Sequence, residues 1–100
     1  MGLPEGLLEC TGFQWDPGNA EKNWELHRVL RGEAEQVFFN RPILVVADDK
    51  HSQSEPRLAA LGRTNEGRML MLVFTIRGTL IRVISARDQS RAERRIYEQA

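Results

Sequence analysis

Residues 68–87 read Arg68-Met69-Leu70-Met71-Leu72-Val73-Phe74-Thr75-Ile76-Arg77-Gly78-Thr79-Leu80-Ile81-Arg82-Val83-Ile84-Ser85-Ala86-Arg87. Two β-rich runs flank Gly78-Thr79, a pair suited to a tight reversal, so the stretch reads as a hairpin. The first run, Arg68 to Arg77, is apolar on both faces until Thr75 and Arg77. That pattern predicts a central strand covered on each side. The second run, Leu80 to Arg87, returns antiparallel to it. Side chains alternate across a strand, so Thr75 and Arg77 share a face, while Arg82 and Arg87, five apart, are expected on opposite faces.

Working outward, Asn65-Glu66-Gly67 is a turn, preceded by a strand from Arg57 to Thr64 with Arg57, Ala59, Leu61 and Arg63 on one side. A polar loop, Asp48 to Pro56, follows a compact strand from Ile43 to Ala47. Before these, Asp16-Pro17 starts a helix: Asp is an N-cap and Pro suits the first helical position, where a missing N–H costs nothing. This helix runs to about Arg28, with Ala20, Trp24 and His27 on one side. A second helix spans Gly32 to Phe39, with Ala34, Val37 and Phe38 inward, and Asn40-Arg41-Pro42 ends it. Trp15 is a candidate for a further short strand. After the hairpin, Gln89-Ser90 opens a last helix through Gln99, and Ser90 and Glu93 have capping-box spacing. The order α-α-β-β-β-β-α predicts an α+β domain: an antiparallel sheet with two N-terminal helices and a C-terminal helix, one face covered by helices. Residues 1–12, with Gly2, Pro4, Gly6 and Gly12, read as a flexible leader, and 13–100 as a single domain.

A chain of 100 residues has room for one modest core, and 41% hydrophobic content is enough to build it. The single cysteine, Cys10, forms no internal disulfide, which suits a reducing cytoplasm. The start has no basic segment and Leu7-Leu8 is too short for a secretory signal. The longest apolar run, Met69 to Phe74, is far below the roughly 18 residues of a membrane helix, so a soluble, cytoplasmic protein without a membrane partner is expected. Net charge is zero, yet its distribution is uneven. Residues 1–50 hold nine acids and five bases; residues 51–100 hold five acids and nine bases, all arginine. The planar guanidinium fork matches phosphate bidentately, so an arginine-rich half suits a phosphate ligand. Composition alone leaves open whether these arginines are merely solvated surface.

Their positions are more telling. Antiparallel neighbours can gather Arg57, Thr75, Arg77 and Arg87 around one concave patch with few carboxylates nearby. Such a set suits cleavage of an RNA backbone. The ribose 2′-hydroxyl attacks the adjacent phosphorus, negative charge grows on the nonbridging oxygens, and fixed guanidiniums stabilise that transition state. The substrate brings its own nucleophile, so no serine triad is required. A general base and acid add about 10²–10⁴-fold each; His27, His51, Glu93 and Tyr97 are candidates in no order that spacing fixes. Each also has a plainer role: His27 on a helix face, His51 shaping a loop with Asp49 or Glu55, Glu93 as a cap, Tyr97 as core. Arg63, Arg82 and Arg94 are further cations assigned to RNA binding. No Gly-rich phosphate loop or nucleophile elbow is present. One cysteine and two histidines give no zinc spacing, and Asp48-Asp49 lacks further ligands in series, so neither metal nor cofactor is expected.

From Phe13 to about Tyr97 the sequence resembles the BrnT toxins of bacterial toxin–antitoxin pairs. Phe13-Gln14-Trp15-Asp16-Pro17 is close to that family's F-E-W-D-P opening, and Asn23, His27, Ala34-Glu35-Gln36-Val37-Phe38 and Pro42 follow. Asp48-Asp49-Lys50-His51-Ser52 with Glu55 and Arg57, Leu61-Gly62-Arg63-Thr64, and Gly67-Arg68 come next in order. Val73-Phe74-Thr75-Ile76-Arg77, Ile81-Arg82-Val83-Ile84-Ser85-Ala86-Arg87, and Glu93-Arg94-Arg95 with Tyr97 complete the match. The resemblance implies a RelE-like fold, a metal-independent endoribonuclease, and translation arrest. It also implies a BrnA-type antitoxin that binds both toxin and operator DNA, so that this chain meets the operator only indirectly. By matched motif, Arg57, Thr75, Arg77 and Arg87 carry over as active-site positions, followed by His27. One departure stands out: the family reads Lys-His-Gly-Val where this chain has Leu26-His27-Arg28-Val29. Two residues on a helix turn a side chain by about 200°, so Arg28 cannot replace the missing lysine. Two other readings stand beside the toxin: a catalytically weakened copy acting as an antitoxin-binding corepressor, and an RNA-binding domain without cleavage.

Overall fold

The structure is a computed structural model, and it describes residues 3, 4, 6–48 and 55–100. Its elements in chain order are β1 (Gly12–Gln14), α1 (Pro17–His27), α2 (Arg31–Val37), β2 (Leu44–Ala47), β3 (Leu58–Arg63), β4 (Met69–Arg77), β5 (Leu80–Asp88) and α3 (Arg91–Glu98). Every expected helix and strand is present, with ends shifted by one or two residues. The strands form one sheet in the order β1-β5-β4-β3-β2.

The sheet is antiparallel except at one edge, where β1 runs parallel to β5 through Gly12↔Leu80 and Gln14↔Arg82. The expected antiparallel sheet is therefore a mixed one. Parallel neighbours need a long crossover, and here the whole chain from α1 to β4 supplies it. The extra strand ends just before Trp15, whose indole N–H donates to Glu35 Oε2 at 2.8 Å.

One face of the sheet carries the core. Ala60 of β3, Leu70, Leu72 and Phe74 of β4, and Ile81, Val83 and Ala86 of β5 are buried there under Val29, Ala34 and Val37. Phe38 meets Phe74 edge-on, with centroids 5.0 Å apart. Gly62 lets α2 approach β3: a Cβ there would collide with Val37 Cγ1. The leader residues Leu3, Leu7 and Cys10 also lie against this core.

The helix faces follow hydrogen-bond demand more than apolar spacing. Asp16 caps α1 as expected, accepting from Gly18 N at 2.8 Å, and Ser90 and Glu93 close the capping box of α3. Within α1, however, Asn23 is the buried residue and Trp24 is turned outward. Asn23 Oδ1 accepts the backbone N–H of Ala86 at 3.1 Å, at a stretch of β5 that β1 is too short to pair. This meets a buried donor that would cost about 1–3 kcal/mol if unmet, although Asn23 Nδ2 is itself buried without a partner. Trp24 instead lies under the Arg28 guanidinium, 5.1 Å from its centroid. Arg28 has φ 54° as the left-handed cap of α1, where the family pattern has glycine, the residue best suited to that conformation.

Arg68 ties these parts together. Its guanidinium bonds Asp88 at 2.7 and 3.2 Å, both oxygens of Glu33 at 3.2 Å, and the carbonyls of His27 and Arg28. The end of α1, the start of α2 and the end of β5 are thereby fixed to one side chain.

The opposite face of the sheet is open. β4 is central, as its sequence predicts, but its second apolar face is not covered by a layer; α3 borders it, with Tyr97 Oη donating to the Pro42 carbonyl at 2.7 Å. Gly62→Ala should lower unfolding free energy by about 1–3 kcal/mol through overpacking against Val37. Chemical denaturation checks it, and adding Val37→Ala should reduce the penalty in a double-mutant cycle.

Candidate active site

The β4–β5 ladder is regular from Leu80 to Val83 and again from Ser85 onward, but it skips one residue: Val73 faces Ser85 and Phe74 faces Val83. Ile84 is the extra residue of a β-bulge, and it reverses the facing of everything after it. Thr75 pairs with Arg82 and Met71 with Arg87. Since Thr75 and Met71 are four apart on one strand, Arg82 and Arg87 lie on the same face. The expectation of opposite faces is corrected by this single residue. Arg57, Arg63, Arg77, Arg82 and Arg87 consequently all belong to the open face.

At one end of that face, Arg57, Thr75, Arg82 and Ile84 line a hollow of about 270 Å³ together with Asp16, Asn19 and Glu55. Arg57 comes from the entry to β3, Thr75 from β4, Arg82 from β5, and Asp16 and Asn19 from the start of α1. Thr75 is 2% exposed and its Oγ1 has no hydrogen-bond partner. A buried hydroxyl without a partner is unusual and points to a ligand that would supply one.

Carboxylates are closer to the arginines than the sequence suggested. Asp16 Oδ2 accepts from Arg82 Nη2 at 3.1 Å while its Oδ1 caps α1. One residue thus fixes both a helix start and a guanidinium. Glu55 takes Arg77 in a bidentate pair at 2.9 and 2.6 Å. That bond holds the Glu55 carboxyl below its ordinary range, and the charges of Arg77, Arg82 and Arg57 act in the same direction against a burial effect. Glu55 is therefore ionised at neutral pH and serves as a clamp on Arg77, with a pKa displaced away from the value suited to a neutral-pH base.

The structure brings together Arg57, Thr75 and Arg82, with Arg77 joined to their rim through Glu55. Arg87 is on the same face but four residues along the ladder from Arg82's partner, about 13 Å away, and it holds Glu93 at 2.8 and 3.0 Å. Arg63 is the last residue of β3, at the end away from the hollow, and Arg94 is exposed on α3. His27 is at the last turn of α1, beside the Arg68 network. Tyr97 is buried against Pro42 and Glu93 is a cap. Of the base and acid candidates with described positions, none lines the hollow; His51, Asp49 and Lys50 lie outside the described residues. Asp16 and Asn19 escaped sequence reasoning because a capping signal fully accounts for Asp16. Its second partner, Arg82, is 66 residues away.

Among the described residues no three His, Cys, Asp or Glu side chains are grouped so as to hold a metal ion, and no helix is long and apolar enough to cross a membrane.

The sequence profile of a family described as ribonuclease toxin, BrnT, of type II toxin–antitoxin systems matches residues 15–93. The fold is similar to the 1.1 Å crystal structure of the Brucella abortus ribonuclease toxin BrnT, with a TM-score of 0.59 and 19% sequence identity, over 81% of this chain and 99% of that one. No curated protein matches the chain.

The Arg87–Glu93 pair generates a pH prediction. Its hydrogen bonds to Arg87, with those of Ser90, hold Glu93 below the usual carboxylate range. A depressed folded-state pKa contributes stability above the unfolded value, lost as pH falls through the folded one. Unfolding free energy should therefore decline from about pH 5 downward. Glu93→Gln should be less stable at neutral pH and show a shallower acid decline, as measured by denaturant unfolding across pH.

Proposed function

Because the chain belongs to the BrnT family of ribonuclease toxins of type II toxin–antitoxin systems, we propose that it is a metal-independent endoribonuclease whose cleavage site is the Arg57–Thr75–Arg82 hollow. It acts in the cytoplasm, arrests translation by cutting RNA, and is silenced by a BrnA-type antitoxin that carries the operator-DNA contacts.

The observation that carries this reading is the buried, unpartnered Thr75 hydroxyl in a hollow lined by two guanidinium-bearing side chains. A phosphate oxygen is the acceptor that this donor lacks, and arginine forks supply the opposing charge. Attack of the 2′-hydroxyl forms a new P–O bond and expels the 5′-oxygen of the next nucleotide, leaving a 2′,3′-cyclic phosphate. The hydroxyl proton leaves and the 5′-oxygen gains one. As the phosphorus becomes five-coordinate, Arg57 and Arg82 hold the nonbridging oxygens and Thr75 donates to one of them. Arg82 is held by Asp16, and Arg77 at the rim by Glu55, before substrate arrives, so these two need little reorganisation at the transition state. Arg77, Arg63 and Arg87 extend the cationic face for flanking phosphates, with Arg94 more distant. The Leu26 and Arg28 departure is at the other end of α1 from Asp16, about 16 Å along the helix, so it leaves the cradle residues themselves intact.

Purified protein should cleave single-stranded RNA equally well with and without EDTA. Arg57→Ala should lower kcat by at least about 10²-fold. Thr75→Val should lower it by about tenfold to a hundredfold without lowering the melting temperature, since an unpartnered hydroxyl contributes nothing to the free fold. Unimpaired cleavage by both variants would place the chemistry elsewhere.

A further inference from the structure

A smaller pocket of about 210 Å³ opens beside the cleavage hollow, and the two share Asp16 and Arg82. Gln14, Trp15, Pro17 and Arg77 complete its lining. Gln14 is brought there by the parallel edge of the sheet. It pairs with Arg82, while its neighbour Phe13 pairs with the buried Ile81. Parallel partners in register project to the same side, so Gln14 stands beside Arg82 on the open face.

The polar groups around this pocket are unequally committed. Asp16 gives one oxygen to Gly18 N and the other to Arg82. The Nε–Nη2 edge of Arg77 is taken by Glu55, and the Trp15 indole N–H by Glu35. The side-chain amide of Gln14, by contrast, is exposed and bonds to no described residue. An amide offers an acceptor beside a donor, the pattern that matches the edge of a nucleobase. Guanidiniums bound edge-on by carboxylates keep their planar faces, and bases stack on such faces.

We propose that this pocket holds the nucleobase next to the scissile phosphate, and that Gln14 selects adenine there. A base carried on a ribose flanking the phosphate in the hollow has to lie close by, and the shared Arg82 joins the two sites. Guanine is the usual partner of an arginine fork, but Glu55 fills the fork of Arg77 and Arg82 faces the phosphate. A glutamine amide pairs instead with adenine, accepting from the exocyclic amine and donating to N7. The single ring of a pyrimidine would cover less of the guanidinium faces. The position beside the cut rests on the hollow being the cleavage site; the base pocket itself does not.

Two readouts test it. Fluorescence anisotropy with uncleavable 2′-O-methyl RNA hexamers should show the all-adenine hexamer binding at least about tenfold more tightly than the all-uracil one. Sequencing the ends produced from random-sequence RNA should show adenine enriched by a similar factor at one of the two positions flanking the cut. In Gln14→Leu and Gln14→Val both preferences should fall to about twofold or less, with melting curves close to that of the unaltered chain, because Gln14 is exposed on an edge strand. Adenine preference that both folded variants retain overturns the proposal, and so does preference for any other base. Adenine-selective binding that needs Gln14, with no RNA cleavage by any form, would leave the pocket standing and defeat the ribonuclease reading. Cleavage without base preference would do the reverse.

Discussion

Where the late arginines point depends on one surplus residue. The β4–β5 ladder pairs Val73 with Ser85 and Phe74 with Val83, leaving Ile84 unpaired between them. Side chains alternate with a period of two, so a one-residue insertion moves every later side chain to the other face. Before the bulge, Ile81 and Val83 face the core and Arg82 faces out; after it, Ala86 faces the core and Arg87 faces out. Were the ladder regular through Ile84, with no residue skipped, Ala86 would face out and Arg87 would face the core. The bulge also lies beside the segment whose Ala86 N–H is taken by Asn23, so α1 is anchored near the residue that reverses the strand.

The cationic face is held in place by acids, and this changes its character. Arg77 is held by Glu55, Arg82 by Asp16 and Arg87 by Glu93. Each pair reduces the net positive charge of the face, so it is weaker in long-range attraction than its five arginines suggest. What the pairs provide is fixed geometry. A guanidinium already oriented loses less freedom when it binds a phosphate, and electrostatic catalysis depends on that preorganisation. The core beneath supplies the rigid floor: Gly62 admits Val37, and Arg68 joins both N-terminal helices to the end of β5. Helices pack over one face of the sheet, and the other stays open.

Much of the architecture was legible because it rests on local signals. Pro17 after Asp16, Ser90 with Glu93, Pro42 after α2 and the Gly78-Thr79 turn each marked an element boundary through backbone chemistry. The parallel β1 edge was not legible: three residues carry little periodicity, and their partner is almost 70 residues away. The bulge was hidden for a different reason. Val83 and Ile84 are apolar in succession, but that alone does not say which residue is surplus; only the pairing with Val73 and Phe74 does. Helical spacing put Ala20, Trp24 and His27 on one side, but the buried residue of α1 is Asn23, which meets the Ala86 N–H. At the site, residue types were readable while their grouping was not. Arg57, Thr75, Arg77 and Arg87 stood out as a set, whereas the distance of Arg87 from the hollow, the contribution of Arg82 to it, and that of Asp16 to Arg82 required the sheet register.

The central claim is that Thr75, Arg57 and Arg82 form a phosphate cradle on the open face of the sheet. A structure of the protein bound to single-stranded RNA fully methylated at the 2′-oxygens, and so unable to cleave itself, tests it most directly. A phosphate should lie within hydrogen-bond distance of Thr75 Oγ1, gripped by Arg57 and Arg82. RNA seated across the helical face, or on the open face with Thr75 Oγ1 still without a partner, would contradict it.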